Sequence, residues 1–369
     1  MIDFIKSLLF LIKFINTSKE DKKYVFFSES KFYKNHFVNL IEDLINLGEK
    51  NIYYICNNKE EFDFFKNKVN AIFINNRFFI ETIFISLSCK NLITTMTDLD
   101  ENFAKSKNCD YYIYFFHALA STHKIYKKNA FKNYDVIFSN GPYQTNELKK
   151  AEEVFSFPQK KIFDIGYFYL DYLKNNAKTN LSKKNCVLFA PSWNYNDKNL
   201  FDDYGYKIIE KLISKNFHVI LRPHSEHFKR SKKKINQIKN SLDKNLFTLD
   251  INLSNIPSME KSEILLTDNS SIISEYLFTF KRPILKINYF DKIHNDDYHK
   301  VDLKTFDDII IDKFGHRMEI KNLNNLTDNI NNILKSKLHD QEISEFIKLN
   351  LSNFGFSCST AAKTLKDEF

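Results

Sequence analysis

A chain of 369 residues, 43% hydrophobic and 27% charged, is globular in composition and long enough for two domains, each with its own core. Its net charge of +8 suits anionic partners, but no zinc-finger spacing or nucleic-acid-binding signature accompanies it, which argues against nucleic acid. The five scattered cysteines (Cys56, Cys89, Cys109, Cys186, Cys358) form no CxxC pair and read as reduced, mostly buried thiols of a cytoplasmic protein.

In residues 1–22 an apolar run from Ser7 to Ile12 is broken by Lys6 and Lys13. The segment lacks a small-residue cleavage site and falls short of the ~20 apolar residues that cross a bilayer, so it is neither a secretory signal nor a span. Two readings stay open. One is an amphipathic helix on the inner leaflet, with Lys6, Lys13, Lys19, Lys22 and Lys23 toward headgroups. The other is a helix packed on the chain's own first domain.

From residue 23 onward short apolar runs alternate with helical patterns, as βα units around a parallel sheet do. The runs predict strands at 24–28, 52–56, 71–74, 92–95, 112–116, 136–139 and 162–165, with helices such as 37–47 and 78–87 between them. Only six Gly and six Pro are present, so Gly141-Pro142 and Gly166, just after strands, mark turns the fold needs. A helix at 168–174 precedes the polar stretch 175–184, the natural interdomain linker. The pattern restarts with strands at 186–190, 218–221, 246–248, 264–267 and 284–287 and helices at 206–215, 229–242 and 270–280, and the tail is helical at 326–335 and beyond 343. This predicts an α/β protein of two Rossmann-like domains facing a cleft (the GT-B plan): an acceptor domain over 23–175, a nucleotide-donor domain over 176–340, and C-terminal helices over 341–369. Ligands of open α/β sheets sit beyond the carboxyl ends of the strands.

Four strand ends carry the chemistry. Leu221-Arg222-Pro223-His224 offers a guanidinium that can clamp phosphate and an imidazole that can donate to, or protonate, a departing phosphate. In 266–275 a strand runs into a helix, whose first N–H groups and the hydroxyls of Thr267, Ser270 and Ser271 would cradle a phosphate. Asp268 or Asn269 as a plain helix cap uses the same donors. In 114–124 a strand leads into His117, small residues, then Ser121, Thr122 and His123. His117 is placed to be a general base, whereas His123 reads more readily as a surface or capping residue. Phe189-Ala190-Pro191-Ser192-Trp193 ends another strand, with Trp193 a packing anchor and Ser192 bordering the nucleotide cleft. There is no HExxH, GxSxG or Walker A sequence, and the acidic segment 97–101 reads as a solvated loop in preference to a metal site. No metal and no cofactor are expected.

Taken in order, His117-Ala118, Gly166-Tyr167, Ala190-Pro191-Ser192-Trp193, Arg222-Pro223-His224, Thr267-Asp268-Asn269-Ser270-Ser271 and Phe280-Lys281-Arg282-Pro283-Ile284-Leu285 resemble the CDP-glycerol glycerophosphotransferase family. Members of that family prime or polymerise teichoic-acid-type chains, and related proteins assemble phosphate-containing capsules. Ala118 stands where the family has Gly, and Asn269 where it has Tyr.

The resemblance implies a CDP-linked polyol donor, a glycan or lipid-linked acceptor, and a peripheral location at the inner face of the cell membrane. It implies that Thr267, Asp268, Ser270, Ser271 and Ser192 hold the donor while Arg222 offsets the charge of its pyrophosphate. His117 would deprotonate the acceptor hydroxyl and His224 would stabilise or protonate the leaving CMP, with Ser121, Thr122 and His123 on the acceptor side. A GT-B glycosyltransferase using a nucleotide sugar would employ the same cleft but break C–O in place of P–O. A non-enzymatic assembly partner at the membrane is the third reading.

Overall fold

The computed structural model describes residues 2–369 except 75, 102, 195–197 and 337–338, with side chains described from residue 8 onward. Its strands form two wholly parallel sheets. The first runs in the order β3-β2-β1-β4-β5-β6-β7, from β1 (Tyr24–Ser28), β2 (Ile52–Cys56), β3 (Asn70–Phe73), β4 (Ser88–Thr94), β5 (Asn108–Phe115), β6 (Val136–Ser139) and β7 (Lys161–Asp164). The second runs β10-β9-β8-β11-β12-β13, from β8 (Cys186–Phe189), β9 (His218–Leu221), β10 (Phe247–Leu249), β11 (Ile264–Thr267), β12 (Ile284–Asn288) and β13 (His316–Glu319). Strand β1, Tyr-Val-Phe-Phe-Ser, is buried at every position because helices cover both faces of the sheet. It pairs with β2 on one side and β4 on the other, Tyr24 lying opposite Ile52 and Asn91.

Strand order reverses between β1 and β4 in one sheet and between β8 and β11 in the other. A crevice opens at the carboxyl ends of the strands at each such reversal. The base between the sheets is closed by a continuous apolar core joining Leu119, Tyr167 and Leu170 to Leu188, Leu265, Ile273, Leu277, Phe306 and Phe346. The segment expected to link the sheets is tied down on the second one: Lys178 N–H donates to Glu260, and the buried Arg282 donates to the Thr179, Met259 and Ser262 carbonyls.

Three local expectations are revised. The helix expected over 229–242 breaks at Ser231 into Ser225–Arg230 and Lys232–Ser241. Edge strand β13 was not expected, since His-Arg-Met-Glu has no apolar run and buries only Met318. The acidic segment is not simply solvated: Asp98 and Leu99 are buried, and the Asp98 N–H donates to the Ala130 carbonyl.

The chain ends on the first sheet. Helix Ser357–Glu368 packs Cys358, Ala361, Ala362 and Leu365 against Phe37, Leu40 and Ile41 of helix Lys34–Asn46. Asp171 clasps its start, accepting from the backbone N–H groups of Gly355 and Cys358, each at 2.9 Å. On the way, the segment Asn350–Ser357 crosses Gly141 and Gly166 so closely that a Cβ at Gly166 would collide with the Ser352 carbonyl and the Ser357 side chain, at a φ of +106° that favours glycine. Gly166→Ala is therefore expected to lower stability by about 1–3 kcal/mol in denaturant unfolding. An unchanged midpoint would mean that this crossing is not tight.

Helix Ile2–Asn16 packs part of its surface on the chain's own first domain. Leu11 and Phe14 are buried in the first domain's core, while Leu8, Leu9, Phe10, Ile12 and Ile15 are exposed. Lys22, expected at headgroups, is buried: its ammonium donates to the Phe14 carbonyl at 2.9 Å, where a cation suits a helix C-terminus, and burial lowers its pKa. Lys19 and Lys23 are engaged by Asp110 and Glu49. No described helix is long and apolar enough to cross a membrane.

Candidate active site

On the second sheet the reversal between β8 and β11 places Pro191–Trp193 beside Thr267–Ser271, with the end of β9 on the far side of β8. Thr267 Oγ1 donates to the Ala190 carbonyl at 2.6 Å, and Asp268 accepts from the Ser192 N–H at 2.7 Å, so the two strand ends are riveted together. Both residues are fully buried, and burial raises the pKa of Asp268. Asp268 therefore shapes the crevice and does not cap the following helix. Nor does Asn269, whose amide donates to the Phe290 carbonyl at 2.7 Å. Ser270 and Ser271 are half-buried at the start of helix Ile272–Phe280, their hydroxyls making no hydrogen bond among the described residues. Trp193 packs edge-on against His227, whose Nε2 lies 3.1 Å from the Ser192 carbonyl and holds that turn in place.

His224 stands exposed at the cleft, at the N-cap of helix Ser225–Arg230. Its Nδ1 accepts from the Glu226 N–H at 3.3 Å, which fixes the neutral tautomer with a proton on Nε2. Desolvation by the surrounding protein and the nearby Lys292 charge hold its pKa down to about 4. Arg222, two residues away, is committed elsewhere. Its guanidinium donates to Asp250 at 2.6 Å and to the Asn252, Leu253 and Ser254 carbonyls at 3.0–3.2 Å, so it orders the loop after β10.

Across the cleft, His117 follows β5 with its ring over Tyr33, centroids 4.5 Å apart. Burial holds its pKa down to about 4, the Thr95 backbone working the other way. Its carbonyl accepts from Tyr167 Oη at 3.0 Å and lies 3.1 Å from His36 Nε2. Tyr167 Oη also lies 3.0 Å from Glu275 on helix Ile272–Phe280, and Glu275 accepts from Asn255, which in turn accepts from Tyr169. Tyr169 stacks on His36 with ring centroids 4.7 Å apart. One buried polar chain thus joins His117 on the first sheet to helix Ile272–Phe280 on the second, and its members His36, Asn255 and Glu275 were not anticipated.

Ser121, Thr122 and His123, expected on the acceptor side, are buried. Ser121 Oγ and the Thr122 N–H and hydroxyl all donate to Glu147, while His123 Nε2 lies 3.0 Å from the Leu303 carbonyl. These three form a structural knot beneath the cleft wall. No cluster of metal-ligating side chains occurs among the described residues.

A family model described as CDP-glycerol:poly(glycerophosphate) glycerophosphotransferase matches residues 8–352. The wall teichoic acid polymerase TagF superposes with a TM-score of 0.58 at 17% identity, covering 100% of this chain and 98% of that one. A His-to-Asn variant of TagF soaked with CDPG gives 0.59 at 17% identity, with 100% and 94% coverage. The S. aureus MnaA–UDP complex gives 0.59 at 12% identity, covering 94% and 96%. At these identities the structures establish a shared GT-B-like fold. No curated protein sequence matches the chain.

Proposed function

This chain belongs to the CDP-glycerol:poly(glycerophosphate) glycerophosphotransferase family, and we propose that it moves glycerol phosphate, or a similar polyol phosphate, from a CDP-linked donor to a hydroxyl of a glycan or lipid-linked acceptor, releasing CMP. The observation that supports this reading is that His117, after β5 of the first sheet, and His224, after β9 of the second, come close enough for the charge of one to act on the other. The donor's pyrophosphate lies against Ser192, Ser270, Ser271 and the start of helix Ile272–Phe280, whose dipole favours negative charge. Thr267, Asp268 and Arg222 shape that surface from behind. His117, neutral near pH 7, takes the proton of the attacking hydroxyl. His224 donates from Nε2 to the departing phosphate. Bond making and breaking at phosphorus then depend mainly on alignment and charge.

Incubation with CDP-glycerol, CDP-ribitol or UDP-sugars tests the reading. The expected products are CMP and a phosphodiester seen by phosphorus NMR; a released nucleoside diphosphate with a new glycosidic bond would establish the glycosyltransferase alternative instead.

The acceptor is proposed to lie in a membrane surface. Helix Ile2–Asn16 packs beside helix Arg77–Ser86, and exposed Leu8, Leu9, Phe10, Ile12 and Ile15 on one join exposed Phe78 and Ile85 on the other. Lys13 adds an exposed charge for anionic headgroups. The double variant Leu9→Glu/Phe78→Glu is expected to lose about tenfold or more in cosedimentation with vesicles containing anionic lipid. Undiminished binding would rule this face out.

A further inference from the structure

The donor's two phosphates need a cation in the cleft. Arg222 is held by Asp250 and three carbonyls, Lys286 by Asp308 at 3.3 Å, and Lys124 by Asp291 at 3.5 Å. Lys292 differs: its ammonium has no hydrogen-bond or ion-pair partner among the described residues.

Its place is fixed by the segment that carries it. After β12 the chain bridges the cleft. The Phe290 carbonyl is bound by Asn269 on the donor side, while the His294 N–H donates to the Lys124 carbonyl and the Asn295 amide to the His123 carbonyl, both at 2.9 Å, on the acceptor side. Lys292 lies between these anchors, half-buried and within electrostatic reach of His224, Asp268 and Asp307. Asp268 and Asp307 lie near enough to favour the charged ammonium, yet neither is hydrogen-bonded or ion-paired to it, so its N–H donors find no acceptor among the described residues. A half-buried cation with open donors is costly to desolvate unless an acceptor-rich anion completes it.

We propose that Lys292 is the diphosphate-binding cation of the donor site, placing the β-phosphate of a nucleoside diphosphate beside His224. The assignment rests on the donor reading above, and it gives the cross-cleft strap a function: by bridging both sheets, the strap brings the cation to the reacting phosphorus.

Calorimetry of the full-length protein with CDP and with CMP tests it. The wild type is expected to bind CDP more tightly than CMP. Lys292→Met, which keeps the length of the side chain but not its charge, should lose about 10–100-fold for CDP, as removal of a charge-assisted hydrogen bond does, and change little for CMP. Lys292→Arg should restore much of the loss. CMP binding and an unchanged melting temperature certify that the Met variant is folded. Should it fail to fold, Lys292→Gln, which keeps a polar head without the charge, carries the test through the same CDP-over-CMP comparison. Full retention of the CDP advantage in the folded Met variant, or in the Gln variant where that one is needed, would overturn the proposal, as would a wild type with no diphosphate advantage. A wild type that ignores cytidine nucleotides but prefers UDP over UMP would sink the CDP-donor reading alone, and the same comparison made with uridine nucleotides would then decide the role of Lys292.

Discussion

Replacing His224 by alanine is expected to slow CMP release about 10²–10⁴-fold, the usual contribution of a positioned proton donor or acceptor. Because Nδ1 is occupied by the Glu226 N–H, the ring presents Nε2–H to the cleft, and alanine removes that donor outright. Alanine also removes the cap of the helix Ser225–Arg230, a loss of about 0.5–2 kcal/mol that a melting curve will register separately. His224→Asn keeps a capping oxygen and an amide N–H. If His224 acts by hydrogen bonding to the departing phosphate, Asn should recover part of the rate; if it transfers a proton, Asn should match Ala. Donor affinity by calorimetry should change far less than turnover, since an interaction made chiefly in the transition state appears in kcat. Near wild-type turnover in the Ala variant would remove His224 from the mechanism.

Much of this site was legible because parallel sheets deliver their strand ends to one place. Strands β1, β2, β6, β9 and β11 were predicted to the residue, each a short, largely apolar run buried in the sheet. The residues after β8, β9 and β11 follow strand ends next to the reversal of strand order, which is what singled out Ser192, His224, Ser270 and Ser271. Polar pairing over long separations left no such mark. The attachment of Arg222 to Asp250, that of Ser121 and Thr122 to Glu147, and that of Tyr167 to Glu275, 108 residues away, follow from how the sheets pack and not from any period in the sequence. One signal was available: Glu275 is the single carboxylate in Ile-Ile-Ser-Glu-Tyr-Leu-Phe-Thr-Phe, and a lone acid within a buried helix must find partners. Lys292 carried none, since a lysine in a polar loop is ordinarily solvated.

His117→Ala is the companion test, with an expected loss of about 10²–10⁴-fold in kcat/KM and a pH signature of its own. Burial holds the imidazole near pKa 4. A base works deprotonated, so kcat/KM should persist on the acid side until pH falls through about 4; a limb centred near 6.5 would mean that the ring titrates as it would in water. The backbone carbonyl of His117 depends on a second titration. Tyr167 has one hydroxyl proton but sits 3.0 Å from both that carbonyl and Glu275, so both contacts are hydrogen bonds only when Glu275 supplies a proton of its own. Burial raises the Glu275 pKa to about 7. A carboxyl whose pKa is raised on folding contributes stability that is complete below its unfolded value near 4.5 and lost as pH rises through the folded value. The polar chain joining the two sheets should therefore loosen as pH rises past about 7. Glu275→Gln, whose amide always has a proton to donate to Tyr167, should flatten this dependence. Melting temperatures between pH 5.5 and 8.5 should fall with rising pH more steeply for the wild type than for Glu275→Gln. Parallel curves for the two proteins would show that Glu275 does not carry the proton that holds His117 in register with helix Ile272–Phe280.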